Sequence, residues 1–289
     1  MVTIAQVLKE AREQFEQLEI PTPQLDAEVL LCNILNKDRV YLHIYPNMEI
    51  SQEICQKFMD AVEKRKTKMP IQYIVNYQQF MDLDFYVDPG VLIPRGDTEI
   101  LVEEVINIYR EEKKDQAVNV LDIGTGSGAI TISLAKYIDL SQLYSIDISE
   151  KALEIARRNA ESNGVNDRIQ FLHGSMFEPI EGKGLEKGFD YIVSNPPYIP
   201  TKDVLELEDQ VKEFEPKLAL DGGADGLDFY RHIARNAPRF LKEGSWLVFE
   251  IGYNQGEDLV GIMGENGFKN ISVIKDLAGL DRVVKGQME

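Results

Sequence analysis

Cysteine is scarce in this chain, and the lack of any useful spacing removes two kinds of chemistry at once. Cys32 and Cys55 are the whole supply. They lie in helix-like apolar patterns and match no metal or redox spacing, so each is expected to be a small buried hydrophobe. Histidine is equally thin: His43, His173 and His232 are scattered and none sits near a cysteine, which predicts no metal site. Positive charge is in deficit, with 31 Lys and Arg against 49 Asp and Glu and a formal net charge of -18. So acidic a surface repels phosphate backbones at long range unless a local basic patch overrides it, and direct nucleic-acid contact is not expected. Long apolar runs are missing too, so no membrane span is expected. Lys9, Glu10, Arg12 and Glu13 break up the N-terminal apolar residues as in an amphipathic helix rather than a signal peptide. The expectation is a cytoplasmic protein with no membrane partner, and a monomer, since no exposed apolar repeat suggests an interface.

What is present is enough for one large domain or two modest ones: 289 residues with 44% hydrophobic content, which is ordinary for a packed core. Residues 1–70 read as helical. Ile4, Val7, Leu8, Ala11, Phe15 and Leu18 recur at helical period, and Pro21 and Pro23 are expected to stop that helix. A second helix runs from about Leu25 with Ala27, Leu30, Leu31, Ile34 and Leu35 inward, and Ser51 caps a third carrying Ile54, Phe58 and Val62. That third helix ends in Lys64, Arg65, Lys66 and Lys68, either a solvated end favoured by the helix dipole or a contact surface for a macromolecule. Residues 71–96 read as a β-hairpin linker, with extended pieces from Tyr73 to Val91 and a turn at Pro89-Gly90. Asp97 or Thr98 then caps a helix bearing Leu101, Val102, Val105 and Ile108.

Residues 97–289 alternate helix and strand. Strands are predicted at 119–123, 143–147, 169–173, 191–194, 246–251, 271–274 and 282–285, and helices at 128–137, 150–162, 227–241 and 255–266. Alternation of this kind means a mainly parallel sheet covered on both faces, with ligands outside the carboxyl ends of the strands. Seven strands ending in a tight pair around Gly279 fit a Rossmann-like methyltransferase sheet better than a six-strand dinucleotide fold.

The first of these strands runs into Gly124-Thr125-Gly126-Ser127-Gly128 and then a helix, and the second ends at Asp147. Glycines permit the sharp turn and a close backbone approach to a ligand, and a carboxylate at the second strand tip accepts hydrogen bonds from ribose hydroxyls. Both features suit nicotinamide and S-adenosylmethionine alike. The glycines, however, fall at every second position rather than as G-x-G-x-x-G, which fits a dinucleotide less well. Asp122 either orients a methionine amino group or fixes the turn. The strand ending at Ser194 is followed by Asn195-Pro196-Pro197-Tyr198. Two prolines make a stiff turn with carbonyls free to accept, the Asn195 oxygen and the Pro196 carbonyl can accept both hydrogens of a planar NH2 group, and Tyr198 offers an aromatic wall. An amide or base amine is a poor nucleophile, and paired acceptors raise the electron density on its nitrogen and hold it in line for methyl transfer.

Taken in order, these segments resemble the peptide chain release factor glutamine methyltransferases, the HemK family. The resemblance spans nearly the whole chain. It runs through Asp26-Ala27-Glu28-Val29-Leu30-Leu31, Val91-Leu92-Ile93-Pro94-Arg95, the glycine loop, Asp147 and the 194–198 turn. It continues in Glu215-Pro216, Ala219-Leu220, Asp225-Gly226-Leu227, Glu250-Ile251-Gly252 and Asp281-Arg282-Val283-Val284. It implies a class I methyltransferase domain behind a small all-α substrate-recognition domain, S-adenosylmethionine as cofactor, and N5-methylation of the glutamine in the Gly-Gly-Gln motif of release factors. It places cofactor contacts on Gly124, Thr125, Gly126, Ser127, Gly128, Asp147, Met176 and Asn195. Substrate contacts fall on Asn195, Pro196, Pro197 and Tyr198, with Asn195, Pro196 and Tyr198 catalytic. Two departures stand out: Gly96-Asp97 replaces the family's Pro-Glu after Pro94-Arg95, and Met176 stands where an adenine-lining aromatic is common. The competing readings are glutamine methylation of a ribosomal protein, base-amine methylation of a nucleic acid, and a non-enzymatic sensor of S-adenosylmethionine.

Overall fold

A computed structural model describes residues 2–289. Two compact units divide the chain: Met1–Tyr77 with Glu208–Phe214, and Gln78–Leu207 with Glu215–Glu289.

The first unit is helical. Helix α1 (Ile4–Gln17) opens with a capping box in which Thr3 Oγ1 accepts from Gln6 N–H and Gln6 Oε1 accepts from Thr3 N–H. It buries Ile4, Val7, Ala11 and Phe15, while Leu18 lies beyond its end and is exposed. Pro21 and Pro23 do not stop this helix; it is already over at Gln17, and Pro23 instead opens α2 (Pro23–Leu35), where a missing N–H costs nothing. A short helix that periodicity did not reveal, α3 (Arg39–Ile44), follows, capped by Asp38. In α4 (Gln52–Lys66) Ser51 Oγ accepts from Ile54 N–H, as expected. Tyr73 and Val75 are helical rather than extended, in α5 (Ile71–Val75), because a five-residue turn of helix leaves no 3.6-residue pattern to read. Cys32 and Cys55 are half-buried at the margin of this core rather than inside it.

The basic end of α4 is largely spoken for within its own unit. Arg65 is buried and its Nε donates to Asp26 Oδ2 at 2.7 Å, while its Nη1 reaches the Met69 carbonyl at 3.0 Å. Lys66 pairs with Glu63, and Lys68 pairs at 2.6 Å with Asp209 of the one-turn helix α9 (Asp209–Lys212). The macromolecular-contact reading of this cluster loses its central charge to the core.

The second unit begins with a tight hairpin, Gln78–Phe80 against Leu83–Phe85, reversing at Met81-Asp82, and the expected turn at Pro89-Gly90 follows it, closed by Val91 N–H donating to the Asp88 carbonyl. Met81 and Asp82 sit at positive φ (49° and 54°), the geometry that matches strand twist. Met81 is anchored there by the Glu99 carboxylate and the Tyr137 hydroxyl. Helix α6 (Gly96–Glu112) starts a residue or two before the expected cap: Arg95 is its N-cap residue and gives no side-chain cap. Asp97 lies in the acidic first turn instead.

Seven strands form the sheet: β1 (Val118–Ile123), β2 (Ser141–Asp147), β3 (Ile169–His173), β4 (Phe189–Ser194), β5 (Leu241–Glu250), β6 (Phe268–Lys275) and β7 (Asp281–Met288). Their order is β6-β7-β5-β4-β1-β2-β3, with β7 antiparallel to both neighbours and the other pairings parallel. This is the expected α/β architecture. Helices α7 (Ala129–Tyr137), α8 (Glu150–Ser162), α10 (Asp228–Asn236) and α11 (Gly256–Glu265) link the strands. The predicted 227–241 helix is shorter: Pro238 falls in a 3-10 turn, and Leu241 already begins β5. Central β1 and β4 are buried along nearly all their length, as a strand covered on both faces must be.

Candidate active site

The chain leaves β1 toward β2 and β3, then returns to lay β4 on the other side of β1. The β1/β4 boundary is therefore the topological switch point, where loops diverge and a crevice opens. Register does the rest. Ile123 pairs with Ile146 on one side and with Ser194 on the other, so Gly124, Asp147 and Asn195 come level one residue beyond that row. Ser194 Oγ donates to the Ile123 carbonyl at 2.6 Å and ties the two central strands together at this edge.

A cavity of about 260 Å³ occupies the crevice, near the small end of ligand sites, which run to ~300–1,000 Å³. Gly124, Thr125, Gly126, Ser127, Asp147, Met176, Asn195, Pro196 and Pro197 all line it. Gly128 and Tyr198 do not. A Cβ on Gly128 would stand 2.7 Å from Ile132 Cδ1 and 3.2 Å from Ala156 Cβ, so this glycine lets α7 approach α8 rather than a ligand approach the loop. The Tyr198 ring packs against the second core cluster, beside Gly252, so the expected aromatic wall is not in the cavity. Burial, with the negative charge of Glu250 nearby, pushes the Tyr198 phenol up to about 12.

Asp147 presents a carboxylate whose Oδ2 accepts from Gly126 N–H and whose Oδ1 accepts from Ser149 N–H, both at 2.8 Å. Burial raises its pKa, and those N–H groups oppose the shift. Asp122 is fully buried and forms no part of the cavity wall. Burial, then the charge of Asp147, pushes its carboxyl up to about 8, a shift toward the protonated form. Neither of its oxygens has a hydrogen-bond partner, so it does not tie the turn together, and its place outside the cavity wall counts against a role as counterion to an amino group.

The donor set fits S-adenosylmethionine. The apolar wall of Val91, Leu92, Ile130, Ile148 and Met176 suits a purine and an alkyl chain, while the remaining lone pairs of Asp147 suit ribose hydroxyls. Gly124 (φ +82°) leaves open the space between the glycine loop and the turn, which a Cβ 3.9 Å from the Asn195 carbonyl oxygen would fill.

Several residues around the 195–198 turn escaped role assignment. Gly222 and Gly226 back its carbonyls: a Cβ would come within 2.7 Å of the Pro197 oxygen and 2.3 Å of the Tyr198 oxygen respectively. Gln255 Nε2 donates to the Tyr198 and Gly226 carbonyls, and Gln255 Oε1 accepts from Gly252 N–H. Arg95, in the cavity wall, is held at 2.5 Å by the buried Glu215. The Asp225-Gly226-Leu227 and Glu215-Pro216 segments were visible as motifs, but contacts this distant in sequence leave no local pattern. Gly226→Ala, with φ +78° as well as the clash, should shift the turn and cut kcat by about tenfold or more. Equilibrium binding of S-adenosylmethionine, measured beside the kinetics, should stay close to wild type.

Residues 6–75 match a family described as PrmC N-terminal domain, and residues 114–273 one described as methyltransferase domain. The release factor glutamine methyltransferase of Geobacter sulfurreducens is 41% identical over 99% of this chain and 97% of its own length. The protein of the same name from Clostridium acetobutylicum is 40% identical over 96% and 93%. Among solved structures, the hMettl16 catalytic domain in complex with the MAT2A 3′UTR hairpin 6 superposes with a TM-score of 0.55 at 14% identity. That match covers 72% of this chain and 77% of that one, a likeness of fold alone. By identity over nearly its whole length, the chain belongs to the family of release factor glutamine methyltransferases.

Proposed function

We propose that this chain methylates the side-chain amide nitrogen of a glutamine in peptide chain release factors, the one in their Gly-Gly-Gln motif, with S-adenosylmethionine as donor. One observation carries the reading: the Asn195-Pro196-Pro197 turn shares a single cavity wall with the glycine loop and Asp147. When bound, S-adenosylmethionine supplies a methyl on a cationic sulfur, so that an N–C bond forms as the S–C bond breaks with its electron pair kept by sulfur, and the methylated amide nitrogen, now strongly acidic, releases one proton to water. The glycine loop and Asp147 hold that donor at the β1 and β2 edges. Asn195 Oδ1 and the Pro196 carbonyl accept from the two amide hydrogens and fix the nitrogen in line. Tyr198, anchored through its carbonyl by Gln255, holds the turn in place. We assign the helical residues 1–70 to gripping the release factor and residues 71–96 to the linker, and place the reaction in the cytoplasm. A labelled methyl donor offered to a release factor, its Gln→Ala variant, a ribosomal fraction and DNA tests the reading. Label should enter the unmodified release factor and not the variant; label in the variant, or in DNA or ribosomal protein alone, overturns it.

A further inference from the structure

Asn195 is useful to an incoming NH2 group only if its own amide is the right way round. A carboxamide has an accepting oxygen at one corner and a donating NH2 at the other, and turned over it would repel the substrate it is meant to hold. Nothing in the turn itself chooses between these orientations. Asn195 Nδ2 lies 3.4 Å from Thr98 Oγ1, on α6 and in the cavity wall. Behind them stands Glu250, the last residue of β5, which follows Phe249 as Asn195 follows Ser194 in the paired register of β4 and β5, and so lies beside Asn195 at the adjacent strand end. Glu250 is 3% exposed, Thr98 4%, and Glu250 Oε2 has no partner of its own. A buried carboxyl with an unmatched oxygen costs stability, and a packed apolar residue would serve the core better.

We propose that Glu250 and Thr98 are positioning residues, a pair of acceptors that hold the Asn195 NH2 group turned away from the cavity and so aim its oxygen at the substrate amide. The proposal rests on the amide-methylation reading above. An anionic Glu250 accepts and cannot donate, so it specifies one orientation; a protonated Glu250 offers an O–H and removes that preference. Burial pushes the Glu250 carboxyl up to about 7, with Asp97 of α6 adding to the shift and Thr98, Asn195 and Arg282 of β7 opposing it. The other ionisable groups that sense its charge are the phenols of Tyr198 and, on α10, Tyr230, and both are held neutral. The preference is therefore present above about neutral pH and lost as pH falls through the Glu250 pKa.

The test uses the full chain with asparagine side chains labelled by 15N, the Asn195 NH2 signal being assigned by its loss in Asn195→Asp. In the wild type without substrate this signal should titrate near neutral pH, and in Glu250→Gln it should not. With a release factor as substrate, Glu250→Gln and Thr98→Val should each lower kcat by about 10- to 100-fold while KM and S-adenosylmethionine affinity hold within about twofold. Thr98→Ser, which keeps the hydroxyl, should restore most of the rate. Wild-type kcat should rise with pH through neutrality, and the Glu250→Gln profile should be flat. An Asn195 signal indifferent to pH, or a kcat within about twofold of wild type in both variants, overturns the pair. Should the wild type label no release factor at all, the substrate reading fails, and the titration still decides whether Glu250 orients Asn195.

Discussion

Replacing Asn195 with alanine is expected to lower kcat by about a thousandfold while changing the affinity for S-adenosylmethionine by less than about fivefold. Removing one preorganised partner of a reacting group costs about 10²–10³ in enzymes whose charge develops at a fixed position, and in the proposed mechanism the lost oxygen also aligns the nucleophile. Cofactor affinity should survive because Asp147 and the glycine loop belong to β1 and β2, on the far side of the strand boundary from the turn. Without the Asn195 side chain, Thr98, in the cavity wall, loses the NH2 from which its hydroxyl accepts. Water fills that gap but cannot hold the amide nitrogen in line. Steady-state kinetics with a release factor, paired with calorimetric titration of the cofactor, separates the two effects. Turnover near the wild-type rate would remove Asn195 from the mechanism.

The second large effect lies in the helical unit. Arg65→Met is expected to destabilise that unit by about 3–5 kcal/mol, because it strands the Asp26 carboxylate, whose side chain is 5% exposed. In the intact protein Asp26 is satisfied on both oxygens, by the Thr22 hydroxyl at 2.7 Å and by Arg65 Nε at 2.7 Å, and this links the first turn of α2 to the last turn of α4. The double variant Asp26→Leu, Arg65→Met should recover most of the loss, since a buried ion pair exchanged for apolar packing is close to neutral. Hydrogen exchange of peptides covering residues 4–66 is the right readout: Trp246 lies in the other unit, so its fluorescence would miss the change. Equal protection in the single and double variants would show that the pair contributes little beyond its volume.

Legibility in the sequence tracked the range of the interaction. Strands β1 and β4 were readable because a strand buried on both faces is a short apolar run, and the ends of β1, β2 and β4 were marked by glycine, aspartate or an Asn-Pro-Pro turn. Helix α8 matched at both ends, since Ser149 caps it and its apolar stripe is long. Failures came where the signal was short or where a residue served two masters. Tyr73 and Val75 alternate like a strand but belong to one turn of helix. Met81-Asp82 forms a hairpin turn without glycine because Glu99 and Tyr137, distant in sequence, hold Met81 there. Arg65 looked like part of a solvated basic end, and its charge is consumed in the core.

The Asn195–Tyr198 turn divides the two kinds of knowledge. From the sequence alone came the chemistry on offer there: two prolines without N–H groups, an asparagine at a strand end, a glycine loop and an acid at two other strand ends. Those are properties of residue types and short spacings, and they survive without coordinates. Tertiary structure alone decided that Tyr198 packs into the core instead of walling the cavity, that Gly128 spaces two helices, and that Asp122 is buried outside the cavity wall. It also placed Thr98 and Glu250, 97 residues before and 55 after the asparagine by chain numbering, beside one amide group. Orientation of a side chain depends on neighbours brought together by strand order and burial, and a linear pattern records neither.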